Sequence, residues 1–192
     1  MPFSSPILER QEFVKLSAAG QDLRRKEFSA CAFKQCDFSA ADLSHARFVD
    51  CRFSACSLAN TKFDHARFQG VLFEDCKLVG VSFSRADASF MNWSFERCKL
   101  QLCSFGGLKM PHSRFNGSVL RDTDFVNADL REASFIDCDL AASKFHHSGL
   151  EKADFSGARN YAIDPVNNRV RGAKFSVPDV LGLLAGFGIE VG

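Results

Sequence analysis

The chain is poor in most of what marks a catalytic or membrane protein. It has one Trp, one Tyr, three Met and five Pro in 192 residues. No apolar run approaches the roughly 18 residues of a spanning helix. The opening Met1-Pro2-Phe3-Ser4-Ser5-Pro6 lacks the basic start and apolar stretch of a signal peptide. A net charge of +1 gives no overall drive toward nucleic acid or a membrane surface. There is no C-x-x-C, no Cys/His cluster with zinc-ligand spacing, no G-x-S-x-G, no P-loop, no dinucleotide-binding glycine pattern and no H-E-x-x-H. These absences predict a cytoplasmic protein without catalytic machinery, metal or cofactor. Helical periodicity is missing too.

What replaces it is a period of five. Leu23, Phe28, Phe33, Phe38, Leu43, Phe48, Phe53, Leu58, Phe63, Phe68, Phe73, Leu78 and Phe83 stand at every fifth position. A second phase reads Phe90, Phe95, Leu100, Phe105, Met110, Phe115, Leu120, Phe125, Leu130, Phe135, Leu140, Phe145, Leu150 and Phe155. Between residues 11 and 175 every Phe falls in one of the two phases, so the 21 Phe are architectural. Two residues before each sits a compact side chain, such as Cys31, Cys36, Ala41, Ala46 or Thr61. All eight Cys take this slot. Free Cys packs as a small buried apolar residue, which predicts inert structural thiols in a reducing compartment.

A period of five is neither the 3.6 of a helix nor the 2.0 of a half-buried strand. Within each five, the compact and the large residue share one side of a short strand, and the other two residues must turn the chain. Repetition predicts a polygonal coil with its large residues toward the axis, and stacked coils pair as parallel strands.

The units Ala41-Asp42-Leu43-Ser44-His45, Ala128-Asp129-Leu130-Arg131-Glu132 and Ala153-Asp154-Phe155-Ser156-Gly157 resemble those of the pentapeptide-repeat proteins, over residues 11–175. The resemblance implies an all-β fold, a right-handed quadrilateral parallel β-helix with four pentapeptides per coil. Residues 20 apart then stack on one face. Residues 1–10 read as a lead-in. Phe83 to Phe95 spans two residues more than two repeats, which predicts a bulge, loop or kink within residues 84–94. Trp93 would fall there in a compact slot, and it is expected to fill irregular space or to be partly exposed as a recognition feature.

After Ala158 the pattern decays, with Val170 and Phe175 keeping phase for a last partial coil. Residues 176–192 form a C-terminal segment. Ser176 as cap, Pro178 in the first turn and Asp179 near the positive end predict a helix over Val177–Ala185, stopping at Gly186. A short strand is expected at Ile189–Val191. Val180, Leu181, Leu184 and Phe187 are the candidate lid over the open core. In several relatives of the resembled family such a segment also forms a two-fold dimer, which makes a homodimer an expectation here.

Twenty-residue stacking turns outward charges into ladders. Lys109–Asp129, Asp124–Lys144 and Glu132–Lys152 predict structural cross-coil pairs. Asp122, Asp124, Asp129, Glu132, Asp137 and Asp139 fall on successive faces. They form a belt, which does not support the DNA mimicry proposed for some family members. In the first half, Arg25, His45, His65 and Arg85 share one column, and Glu27, Arg47, Arg67 and Asp87 the next. Adjacent like charges are unfavourable for folding, so Arg25, His45, Arg47, His65, Arg67 and Arg85 are a candidate surface for an acidic protein partner. The two His have no carboxylate or thiol to complete a metal shell. The resemblance implies a non-catalytic binding rod. Its best-known partners are DNA gyrase and topoisomerase IV, with protection against quinolones; a scaffold for an unrelated protein is the alternative. Direct nucleic-acid or membrane binding is not expected.

Overall fold

The computed structural model describes residues 3–87, 92–187 and Ile189. The chain is a right-handed, four-sided parallel β-solenoid of about eight turns with almost no helix. From Cys31 onward most five-residue units bury the central residue and the compact residue two before it, then turn on a corner residue in the left-handed region; in the first turns Gln11 and Gln21 hold the compact slot and are exposed. Arg25, His45, Asn60, His65 and Asp75 have φ of 59, 60, 54, 57 and 53°. Left-handed backbone costs a non-glycine residue about 1–2 kcal/mol, least for Asn, Asp and His. An inter-coil hydrogen bond offsets it at most corners: the Asn60 N–H, for example, donates to the Val79 carbonyl at 2.8 Å.

Seven strands line two faces of the first four turns: β1 (Ile7–Glu9), β2 (Glu12–Val14), β3 (Glu27–Ser29), β4 (Ala32–Lys34), β5 (Arg47–Val49), β6 (Arg52–Ser54) and β7 (Arg67–Glu74). On one face β1, β3, β5 and β7 pair in order; on the other β2, β4, β6 and β7 do so. The remaining strands are β8 (Lys77–Val79), β9 (Asn92–Glu96), β10 (Lys99–Gln101), β11 (Val119–Arg121), β12 (Asp154–Phe155) and β13 (Lys174–Phe175). Every pairing is parallel, and Phe28 faces Phe48 and Phe33 faces Phe53 at the predicted interval of 20.

Residues 1–10 are more than a lead-in. Phe3 and Leu8 continue the first phase, both are buried, and β1 pairs in register with β3. The Phe3 ring closes that end against Phe13, 4.9 Å between centroids.

The register of 20 holds through Asp87, whose N–H donates to Ala66, and becomes 22 from Trp93, which faces Val71. The shift in β7 lies between Gln69 and Val71. Phe90, read as the start of the second phase, lies outside the described residues, as do positions 190–191 of the expected terminal strand. Trp93 is not exposed. It is 2% accessible, and its ring lies over Phe68 at 5.1 Å, extending the Phe28–Phe48–Phe68 row by one turn. The extra residues leave the compact slot wide enough for an indole.

Phe13, Phe33, Phe53, Phe73, Phe95, Phe115, Phe135, Phe155 and Phe175 form one unbroken stack, with neighbouring centroids 4.6–5.3 Å apart. Edge-on contacts from neighbouring faces complete the packing, as between Phe48 and Phe53.

The compact slot has a second chemical requirement. Its side chain donates to the carbonyl of a central residue in the preceding turn: Thr61 Oγ1 to Phe38 at 2.9 Å, Ser148 Oγ to Phe125 at 2.8 Å, Cys56 Sγ to Phe33 at 3.3 Å. Cys satisfies both needs, as a small apolar body with a weak donor. All eight Cys are free and buried. Burial pushes the Cys103 thiol up to about 11 and those of Cys51 and Cys138 up to about 12, so these remain protonated near neutral pH and are poor nucleophiles.

The C-terminal helix is a 3-10 helix over Asp179–Phe187, after a cis Val177–Pro178 peptide. It begins two residues later than expected and runs past Gly186. The Ser176 hydroxyl accepts from the Gly157 N–H, tying the segment to the last full turn. The expected lid also changes. Leu183 packs on the core, Val180 and Leu184 are half-buried, and Leu181 and Phe187 are 44% and 51% exposed. The tighter twist of a 3-10 helix, three residues per turn, turns a different side chain inward.

Candidate protein-binding corner

The left-handed corner dictates where the basic residues point. The main-chain N–H groups of Arg25, His45 and His65 bond to the next turn, at the carbonyls of Ser44, Asp64 and Arg85 (3.1, 2.8 and 2.8 Å). With the backbone in the ladder and the core filled by Leu and Phe, these side chains project outward. Two residues on, strand register places Glu27 beside Arg47 and Arg47 beside Arg67. The His45 and His65 rings stack at 5.0 Å and 22°. An open depression runs along each side of this histidine row. The structure thus brings together Arg25, His45, Arg47, His65, Arg67 and Arg85, and leaves Trp93 in the core, where it offers a partner nothing.

The ion pairing is uneven. Arg67 Nε holds Asp87 at 2.6 Å, and Arg85 Nε approaches Asp64 at 3.5 Å. Arg24 grips both oxygens of Asp22 at 2.8 and 2.6 Å, holding that carboxyl well below the ordinary range. Among the described residues no carboxylate lies within ion-pair distance of Arg25, Arg47, His45 or His65. One depression sets Arg24, Arg25 and Arg85 against Asp22, Asp42 and Asp64. The other sets Arg25, Arg47 and Arg67 against Glu27 and Asp87, so the positive surplus lies on that side. Asp64 is the participant that sequence reasoning misses: its contact with Arg85 runs diagonally between columns, which a register of 20 does not reveal.

The acidic belt is paired only partly along columns. Glu132 lies 3.8 Å from Lys152, as expected, and 3.5 Å from His112. Lys109–Asp129 and Asp124–Lys144 are in register, yet neither forms an ion pair. Arg131, two residues along, takes both oxygens of Asp129 at 2.8 and 2.7 Å, and Asp124 accepts from the Val126 N–H at 2.9 Å. Asp129 and Asp124 thus bend over their own turn, whereas Asp154, in the same slot, reaches Lys174 on the next turn at 3.5 Å. Asp139 is buried between Arg121 and Asn160 (2.7 and 2.9 Å). Much of the belt is therefore neutralised locally.

Residues 26–89 and 86–155 match the family described as pentapeptide repeat region. The chain belongs to the pentapeptide-repeat family. Two trypsin-treated variants of QnrB1, a plasmid-mediated fluoroquinolone resistance protein, are similar in structure. One has a TM-score of 0.66 at 16% identity, covering 96% of this chain and 99% of that one. The other has 0.57 at 19%, covering 96% and 91%. At these identities the likeness concerns the fold. A sequence search of curated proteins finds no match. Among the described residues of this pentapeptide-repeat chain, no helix is long and apolar enough to cross a membrane.

Proposed function

We propose that this pentapeptide-repeat protein is a non-catalytic rod that binds an acidic surface of a protein partner through the corner built from Arg25, His45, Arg47 and His65. The observation that carries this reading is that, among the described residues, no carboxylate pairs with Arg25 or Arg47, on a surface whose other arginines are mostly clasped. The partner we assign is a type II topoisomerase, DNA gyrase or topoisomerase IV, with the rod shielding it from quinolones in a reducing, cytoplasmic setting. The QnrB1 likeness and the eight free thiols support this assignment. An Arg25→Ala/Arg47→Ala double variant should keep the wild-type melt, because neither guanidinium has a folded-state partner to lose. It should also lose about tenfold or more in partner affinity, two charged hydrogen bonds being worth roughly 1.5–3 kcal/mol each. A supercoiling assay with purified gyrase, with and without quinolone, tests the partner. Neither inhibition nor protection would leave the second reading, a scaffold for an unrelated protein. That reading is favoured by a β-solenoid whose register changes by only two residues between Asp87 and Trp93 and which carries no long projecting loop among the described residues.

The same proposal includes a homodimer through the C-terminal end. Val177, Leu181, Phe187 and Ile189 are all exposed there, an apolar surface that a second copy would cover. Light scattering on the eluting protein should give twice 21.3 kDa, and Phe187→Asp should return it to the single-chain mass. A wild-type mass of one chain at high concentration would refute the dimer.

A further inference from the structure

Resting on the reading of the basic corner as a binding face, we infer the shape of what it holds: an α-helix of the partner with carboxylates at i, i+3 and i+7, laid parallel to the rod axis in the depression beside Arg25, His45, Arg47, His65 and Arg67.

Arg25, Arg47 and Arg67 lie on three successive turns, Arg47 and Arg67 in register and flanked by the stacked His45 and His65, so arginine rungs repeat at about 4.8 Å along the axis. Over three rungs the acceptor positions fall at about 0, 4.8 and 9.6 Å. A helix with acids at i, i+3 and i+7 presents them at about 0, 4.5 and 10.5 Å. An extended strand presents same-face acids at about 0, 6.7 and 13.4 Å, out of step by the second contact. The helix keeps step.

Charge then chooses the side. The histidine row separates the two depressions. In the one away from Arg47, Asp22, Asp42 and Asp64 balance the arginines and repel an incoming carboxylate. In the other, Arg25 and Arg47 offer guanidinium forks that no carboxylate among the described residues holds at ion-pair distance, and such forks grip carboxylates bidentately. Arg67 supplies the third rung in competition with Asp87, and Glu27 marks where a partner's acid is not required. The recognised element therefore needs a narrow acidic stripe on one helix face, not high overall charge.

Fluorescence anisotropy of three labelled peptides on the full-length protein tests this. The first is a stabilised helix with Glu at i, i+3 and i+7. The second has the same composition with its acids spread around the helix. The third is an extended peptide with Glu at alternate positions. The stripe peptide should bind about tenfold or more tightly than either control, and Arg25→Ala/Arg47→Ala should remove that advantage. Equal affinity for all three, lost in the double variant, would overturn the helical partner while leaving an acidic partner standing. Equal affinity unaffected by the double variant would overturn both.

Discussion

Phe53→Asp is expected to leave no cooperative native melt. The Phe53 ring is fully buried between Phe33 at 4.6 Å and Phe73 at 4.9 Å, with Phe38 and Phe48 edge-on at 5.9 and 5.6 Å. Truncating such a ring to Ala costs about 3–5 kcal/mol. Asp adds the burial of an unpaired charge, several kcal/mol more. Against a total stability of about 5–15 kcal/mol, the first half of the rod should unfold. Phe53→Leu should cost on the order of 1 kcal/mol, since Leu58 and Leu78 already fill equivalent slots. Phe175 is the last, half-buried ring of the same stack. In a solenoid each turn contacts only its neighbours, so Phe175→Asp should fray one end and leave the rest protected. Circular dichroism and limited proteolysis read both results; a Phe53→Asp protein with unaltered melt and protease resistance would sink this account of the core.

The unequal legibility of the fold and the binding corner has a physical cause. Two positions in five point inward, and packing fixes their chemistry so tightly that Phe13 to Phe175 spells out an axial stack in the linear sequence. The same regularity made the Arg47–Arg67 and His45–His65 neighbours readable, because a register of 20 is all that is needed to place them. It broke down where the repeat is not the only determinant. Leu8 is preceded by Pro6 instead of a small donor, so the first turn read as a tail. Asp129 answers to Arg131 within its own turn, at a range that column arithmetic ignores. The inward side chain of the terminal helix is Leu183 because that helix is 3-10, and the caps at Ser176 and Asp179 do not encode that choice. The fold also leaves the outward positions chemically free, so their residues record a partner's shape without naming it.

Trp93→Ala is expected to be the second most damaging single change, and Trp93→Phe to be nearly silent. The indole lies among Phe68, Phe83, Phe95 and Phe105, with centroids 5.0–5.9 Å away. It sits where the register passes from 20 to 22, so few neighbours are free to collapse into the space it would leave. Truncation to Ala should cost about 3–5 kcal/mol. Its Nε1 has no hydrogen-bond partner among the described residues. A buried unsatisfied donor costs about 1–3 kcal/mol, so Phe loses some contact area but also removes that penalty. The net change should stay within about 1 kcal/mol. Urea midpoints followed by circular dichroism separate the two variants, and wild-type emission should be that of a single buried indole until unfolding shifts it red. The substitution also reaches the binding corner, since Asp87 lies on the same turn as Trp93 and its partner Arg67 on the turn directly beneath. Trp93→Phe should therefore keep wild-type affinity for the acidic partner while Trp93→Ala loses it. A Trp93→Ala protein with an unchanged midpoint would mean that the slip is held by contacts other than this ring.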